Sequence, residues 1–176
     1  MYFTELLKLL TGITVLSGAL VASLEAKEYD SSKKAYVLLS PTKGNRAHGS
    51  VTFITVEDGV KIIADVEGLS PGKHGFHIHE YGDCSAHDGS STGGYYNPLG
   101  APHGGPDHIN RRLGDLGNIV ADESGKGHYE RVDNLISLSG PHSIVGRSVV
   151  VNDVPDDFTS QSTGNVGKFL TCGVID

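Results

Sequence analysis

The sequence predicts an all-β domain, an antiparallel sandwich or barrel of about eight short strands with two long loops. Short segments alternate apolar and polar side chains, which is the pattern of strands with one buried face. The 176 residues include 24 glycines and no tryptophan, a composition that suits many tight turns. No amphipathic helix pattern and no internal repeat is present, so helical folds are disfavoured.

The clearest strand signal is a hairpin near residue 58. Val51, Phe53 and Thr55 alternate with polar or opposite-facing neighbours, and Asp58-Gly59 then supplies a two-residue turn. The predicted strands are, in order, 35–40, 49–56, 60–66, 75–79, 116–121, 128–132, 135–138, 148–152 and 169–175. Two polar stretches without periodicity, 82–114 and 153–167, separate them. Loops of this length inside a compact domain usually carry function.

The N-terminus predicts export. Residues 9–22 form an almost unbroken apolar run that is shorter than the roughly 20 residues of a membrane span. Small residues follow, and Ala26 is a cleavage point, so 1–26 is interpreted as a secretory signal peptide and an uncleaved N-terminal anchor is the alternative. Residues 27–33 are then a loose mature N-terminus and 34–176 the domain. We expect a secreted or periplasmic protein with no stable membrane span.

The two cysteines, Cys84 and Cys172, predict one disulfide, because an even count in an exported chain usually pairs. The loop they enclose is long, and such a cross-link stabilises by roughly 4 kcal/mol in the chain-entropy description. The alternative is two unrelated thiols. The net charge of −7 offers no basic surface, so nucleic acid is not expected as a partner.

The segment GFHIHEYGDC concentrates the chemistry. On a strand, residues two apart share a face, so His77 and His79 project together while Phe76 and Ile78 turn toward the core. Two imidazoles on one strand face make half of a transition-metal site.

Five motifs resemble those of Cu/Zn superoxide dismutases, in the same order: GFHIHEYGDCS, NPLGAPHGGP, LGDLGNIVAD, GPHSIVGRSVVV and TGNVGKFLTCGVI. The resemblance covers residues 34–175. It implies an eight-stranded Greek-key β-barrel with a metal-binding loop and an electrostatic loop.

Part of the family's metal-site pattern is retained. By resemblance, His77 and His79 match two copper ligands, and His103 and Asp115 match two zinc ligands. Asp156 matches the carboxylate that links a copper histidine to a zinc histidine.

The remaining positions are replaced. Tyr95 stands where the family has the histidine shared by both metals, and Arg112 and Asn152 stand at a zinc and a copper histidine. Phe169 stands at the arginine that guides superoxide. Two of four ligands therefore remain for each metal.

These replacements work against metal binding. The Arg112 guanidinium is always charged and cannot ligate a metal; we expect it to form an ion pair with Asp115. The Asn152 amide oxygen is a poor copper ligand. Tyr95 needs a metal to deprotonate it, because the usual phenol pKa is near 10. Phe169 removes the charge that holds an anion.

The sequence therefore predicts an exported superoxide dismutase-like protein with lost or strongly reduced activity, holding at most one copper ion and no zinc. One alternative is a dismutase with an altered copper-only site, in which superoxide is the substrate; another is a copper-binding or copper-delivery domain. His87 and His108 in the long loop are candidate substitute ligands. A homodimer is left open.

Overall fold

The structure, a computed structural model, describes residues 33–161 and 167–176. The predicted signal peptide, 1–26, lies outside the described residues. Within them, no helix is long and apolar enough to cross a bilayer.

Eight antiparallel strands close into a barrel in the order β1-β2-β3-β6-β5-β4-β7-β8. Their bounds are β1 Lys34–Pro41, β2 His48–Val56, β3 Gly59–Glu67, β4 Gly72–His79, β5 Asp115–Ala121, β6 Gly127–Asp133, β7 Ser148–Asn152 and β8 Phe169–Val174. The all-β barrel expected from the sequence is confirmed.

Alternation along each strand builds the core. In β1 every second residue, Ala35, Val37 and Leu39, is buried and the intervening ones are exposed. Phe53 and Phe76 are fully buried at the centre. Burying such side chains supplies roughly 1.5–3 kcal/mol each, so the barrel is the rigid frame on which the loops are mounted.

The predicted strand 135–138 is wrong. This segment turns away from β6 because Asp133 Oδ1 accepts the backbone N–H of Leu135 at 2.9 Å. Among the described residues, its one β-pairing is an isolated bridge between Ser137 and Ser143. Ile136 and Leu138 are buried nonetheless, so their apolar pattern reflects packing beneath a loop and not strand pairing.

Both long loops are tied to the barrel in their described parts. The predicted disulfide joins Cys84 to Cys172, with their Cα atoms 5.8 Å apart, and fastens the first loop to β8. The first loop is not wholly irregular, since it contains a short 3₁₀ helix, Ser90–Thr92. Asn118 of β5 holds the second loop through two hydrogen bonds, to the backbone N and O of Asp156.

Candidate metal centre

The end of β4 presents the two histidines as expected. Phe76 and Ile78 are fully buried in the core, and His77 and His79 lie on the opposite face, where the loops leave each only 2% exposed. Residue Tyr95 is brought beside them because the first loop pairs with the end of this strand, through a bridge between His79 and Tyr95.

His77 is held at both ring nitrogens. Its Nε2 lies 2.9 Å from Asp156 Oδ2, and its Nδ1 lies 3.3 Å from Asn152 Oδ1. Nε2–H donates to the carboxylate, so Nδ1 is the nitrogen left for a metal, and it faces the amide of Asn152, the residue at a copper-histidine position. Asn152 is the last residue of β7 and is fully buried.

His79 is held on one side and bare on the other. Its Nδ1 lies 2.9 Å from both the Gly93 carbonyl and Thr92 Oγ1. Its Nε2 is buried and has no hydrogen-bond partner among the described residues. Burial, helped by the nearby charge of His77, lowers the pKa of His79 to about 4, although the Gly93 hydrogen bond opposes the shift. The ring is therefore neutral at physiological pH, with an open nitrogen.

His103 forms a direct bridge between two carboxylates. Its Nδ1 lies 2.9 Å from Asp115 Oδ1 and its Nε2 lies 2.8 Å from Asp156 Oδ1. Hydrogen bonds to Asp115 and Asp156 raise the pKa of His103 to about 9, so in this arrangement both nitrogens donate. Burial alone would raise the pKa of Asp156, but the hydrogen bonds from His103 and His77 outweigh it, and that pKa lies well below its usual range.

Tyr95 fills the space between the two histidine groups. Its ring centroid is 4.4 Å from that of His77, 5.1 Å from that of His79 and 6.1 Å from that of His103. Burial, together with the charges of Asp156 and Asp115, raises the pKa of its phenol well above the usual value. The side chain at the shared-histidine position is thus a neutral aromatic group.

The expected Arg112–Asp115 ion pair is wrong. The Arg112 guanidinium Cζ lies 5.2 Å over the Tyr95 ring, and Nη2 donates to the Gln161 carbonyl at 2.5 Å. Only the backbone N–H of Arg112 reaches Asp115, at Oδ2 and 3.1 Å. The reason is that His103 and the Gly104 N–H already occupy the Asp115 oxygens, so the guanidinium turns to the second loop.

Sequence reasoning missed Gln161 and Arg111. Gln161 forms a reciprocal pair with the backbone of His103, through Oε1 at 3.0 Å and Nε2 at 3.1 Å, and so joins the two loops. Arg111 is 2% exposed and makes a buried ion pair with Asp133, which anchors the segment that carries Arg112. A glutamine in a polar loop gives no signal for a partner 58 residues away.

The two histidines named as substitute ligands do not join the centre. His87 and His108 are exposed, and no contact of the described residues connects either ring with His77 or His79. His103, Asp156 and Asp157 have donor atoms within 4.8 Å of one another. That group is a weak metal candidate, because Asp157 is exposed and accepts hydrogen bonds from Ser160.

The donor atoms fit the two metals differently. For zinc they do not fit, because a guanidinium and a neutral phenol occupy two of the four ligand positions and leave only His103 and Asp115 as donors. For copper the fit is partial. Because Nδ1 of His79 donates to the Gly93 carbonyl, its buried Nε2 carries a lone pair, and no described group donates a hydrogen bond to it. His77 and His79 would hold a copper ion, with Asn152 as a weak third donor.

The His103 bridge predicts a pH dependence of the metal-free protein. The folded-state pKa is about 9, above the unfolded value of 6.5, so the bridge stabilises fully below pH 6.5 and is lost as pH rises through 9. We expect urea denaturation in the presence of a chelator to show a free energy of unfolding that falls across this window. The lowered pKa of His79 changes the free energy of unfolding only below pH 6.5, so it does not affect the decline between pH 6.5 and 9. A His103→Asn variant should lack the decline; a flat wild-type profile would contradict the prediction.

The chain is similar in sequence, and in one solved case also in structure, to the following known proteins. The family model for copper/zinc superoxide dismutase matches residues 47–175. The Cu-Zn superoxide dismutase of Paramecium bursaria Chlorella virus 1 is 45% identical over 147 residues, which is 79% of this chain and 75% of that protein. The crystal structure of the clock protein EA4 superposes with a TM-score of 0.76 at 42% identity, covering 84% of this chain and 96% of the other.

Proposed function

The chain belongs to the copper/zinc superoxide dismutase family, and from this premise we propose that it is a member with lost or strongly reduced dismutase activity and no zinc. The observation that carries the proposal is that two of the four zinc-ligand positions hold the Arg112 guanidinium and the Tyr95 ring beneath it, neither of which replaces an imidazole donor. We also propose that the protein is exported after cleavage of the leader at 1–26.

Three replacements support reduced activity. When bound, copper supplies the electron exchange with superoxide that this family performs. In the metal-free protein, burial raises the pKa of the Tyr95 phenol, and a phenol offers one oxygen where the shared imidazole offers a nitrogen to each metal. Arg112 adds a permanent positive charge beside the zinc-type residues, which repels a second cation. Phe169 replaces a guiding cation with an apolar ring, so an anion gains no charge-assisted contact there.

A second candidate function is binding of a single copper ion at His77 and His79, either for copper handling or in an altered copper-only dismutase. The unpartnered Nε2 of His79 favours it, because a buried polar atom without a partner is costly to retain unless it serves a ligand.

One experiment tests these proposals together. The mature chain is loaded with copper and zinc, its metals are counted by mass spectrometry, and superoxide removal is followed by pulse radiolysis beside a family member with a complete ligand set. We expect zinc far below one ion per chain, at most one copper, and superoxide removal no faster than in a His77→Ala, His79→Ala control. Two metals per chain with removal at the rate of the complete enzyme would refute the main proposal. One copper with activity would establish the altered enzyme.

A further inference from the structure

Phe169 packs against the ring of His79, whose Nε2 is buried and has no hydrogen-bond partner among the described residues. The two rings meet edge to face, with centroids 5.1 Å apart and planes at 87°. Two contacts hold Phe169 in this position. Thr42 Oγ1 donates to its carbonyl at 2.5 Å, and its ring rests on Gly89, where an added Cβ would lie 2.9 Å from Phe169 Cδ2.

Tyr95 also packs against these two histidines, and a positively charged side chain lies over its ring. Its ring contacts both His77 and His79, and Arg112 lies over that ring. The described surroundings of the two imidazole rings are thus two aromatic rings and the Asn152 amide, with the Asp156 carboxylate on the far nitrogen of His77.

We propose that the His77–His79 pair is a capped site selective for Cu(I) over Cu(II), and that Phe169 is the residue that sets this selectivity by closing His79 to water and anions. The inference rests on the second candidate function above and specifies its ligand.

Coordination number and charge both favour the reduced ion. Cu(I) accepts two or three ligands, whereas Cu(II) takes a tetragonal set of nitrogen and oxygen donors. Here Phe169 and Tyr95 occupy space that water or an anion would need. The solvation penalty of an ion in apolar surroundings grows with the square of its charge. Each effect penalises the divalent ion more.

Competition titrations of the metal-free mature chain test the proposal. Cu(I) affinity is measured anaerobically against bathocuproine disulfonate, and Cu(II) affinity against glycine. Azide is then added to the Cu(II) form and followed by electron paramagnetic resonance. Phe169→Arg and Phe169→Leu are compared with wild type, with His79→Ala as a loss-of-site variant and the exposed Val120→Ala as a surface control. Circular dichroism checks that each variant is folded.

We expect Phe169→Arg to lower the ratio of Cu(I) to Cu(II) affinity by at least about tenfold. The Cu(II) spectrum of this variant should change when azide is added, whereas the wild-type spectrum should not. Phe169→Leu keeps an apolar cover and should lower the ratio much less, while Val120→Ala leaves it unchanged. An azide-sensitive wild type, equal effects of the leucine and arginine variants, or no copper binding would each overturn the inference. None of these results restores zinc or dismutase activity, so the main proposal is judged separately.

Discussion

A chain carrying Tyr95→His, Arg112→His, Asn152→His and Phe169→Arg together is expected to bind copper and zinc and to remove superoxide at least about 100-fold faster than wild type, which is about 2.7 kcal/mol of activation free energy. The frame for this gain is already present. His77, His79, His103, Asp115 and Asp156 lie together on the loop-covered face of the barrel.

The geometry indicates why the substitutions should cooperate. The Tyr95 ring lies between His77 and His103, so an imidazole at that position would face both metal sites. Replacing Arg112 removes the repelling charge, and a histidine there adds a zinc donor. Arginine at Phe169 supplies a charge that attracts superoxide, an effect that adds to the rate and weakens with salt.

Partial variants make this prediction specific. The triple variant that keeps Phe169 should bind both metals but remain slower and less sensitive to ionic strength. Arg112→Lys retains the charge and should bind no zinc. The measurements are metal stoichiometry and pulse radiolysis at two salt concentrations. A folded quadruple variant that binds no zinc would show that the loops, and not the ligands, prevent metal binding.

Asp156→Ala is expected to destabilise the metal-free protein by about 3 kcal/mol, because removing one partner of a buried ionic network leaves the other groups unpaired. The Asp156 side chain is 2% exposed and accepts hydrogen bonds from both His77 and His103. It also accepts the backbone N–H of Phe158 at 3.0 Å. The loss should appear in urea denaturation with a chelator present, at pH values below the His103 pKa.

The neighbouring carboxylate is a matched control. Asp157 is exposed, and the described contacts of its side chain are local, to Thr159 and Ser160. Asp157→Ala should cost well under about 1 kcal/mol, as most surface substitutions do. Equal losses in the two variants would mean that the bridge contributes no special stability. A strong dependence of the wild-type stability on added zinc would contradict the view that protein contacts replace that metal.

Much of the fold was readable from local patterns. Alternation identified the strands because side chains point to opposite faces at every step, and this rule needs no knowledge of the partner strand. It failed at 135–138, where buried Ile136 and Leu138 mimic a strand. Apolar side chains beneath a loop and in a sheet are equally buried, so burial alone does not distinguish them.

The positions of the centre were also readable, but its contacts were not. Tyr95, Arg112, Asn152 and Phe169 were identified as replacements by resemblance, and the structure gathers Tyr95, Asn152 and Phe169 around the His77 and His79 rings. The direction of the Arg112 side chain was predicted wrongly. The partner of a long flexible side chain depends on which groups are still available. The oxygens of Asp115 already accept hydrogen bonds from His103 and the Gly104 N–H.

The sequence by itself determined the eight barrel strands and the alternating histidines, because both depend on residue type and short spacing along the chain. It also determined the cysteine pair, because the chain has only two cysteines. Only the tertiary structure decided what the centre has become. Its contacts join residues 12 to 90 positions apart: His103 with Asp115, Gln161 with His103, and Phe169 with His79. Such contacts form only when the loops pack on the barrel. Groups that are distant in sequence then compete for the same hydrogen-bond partners, and the folded arrangement decides which pairs form.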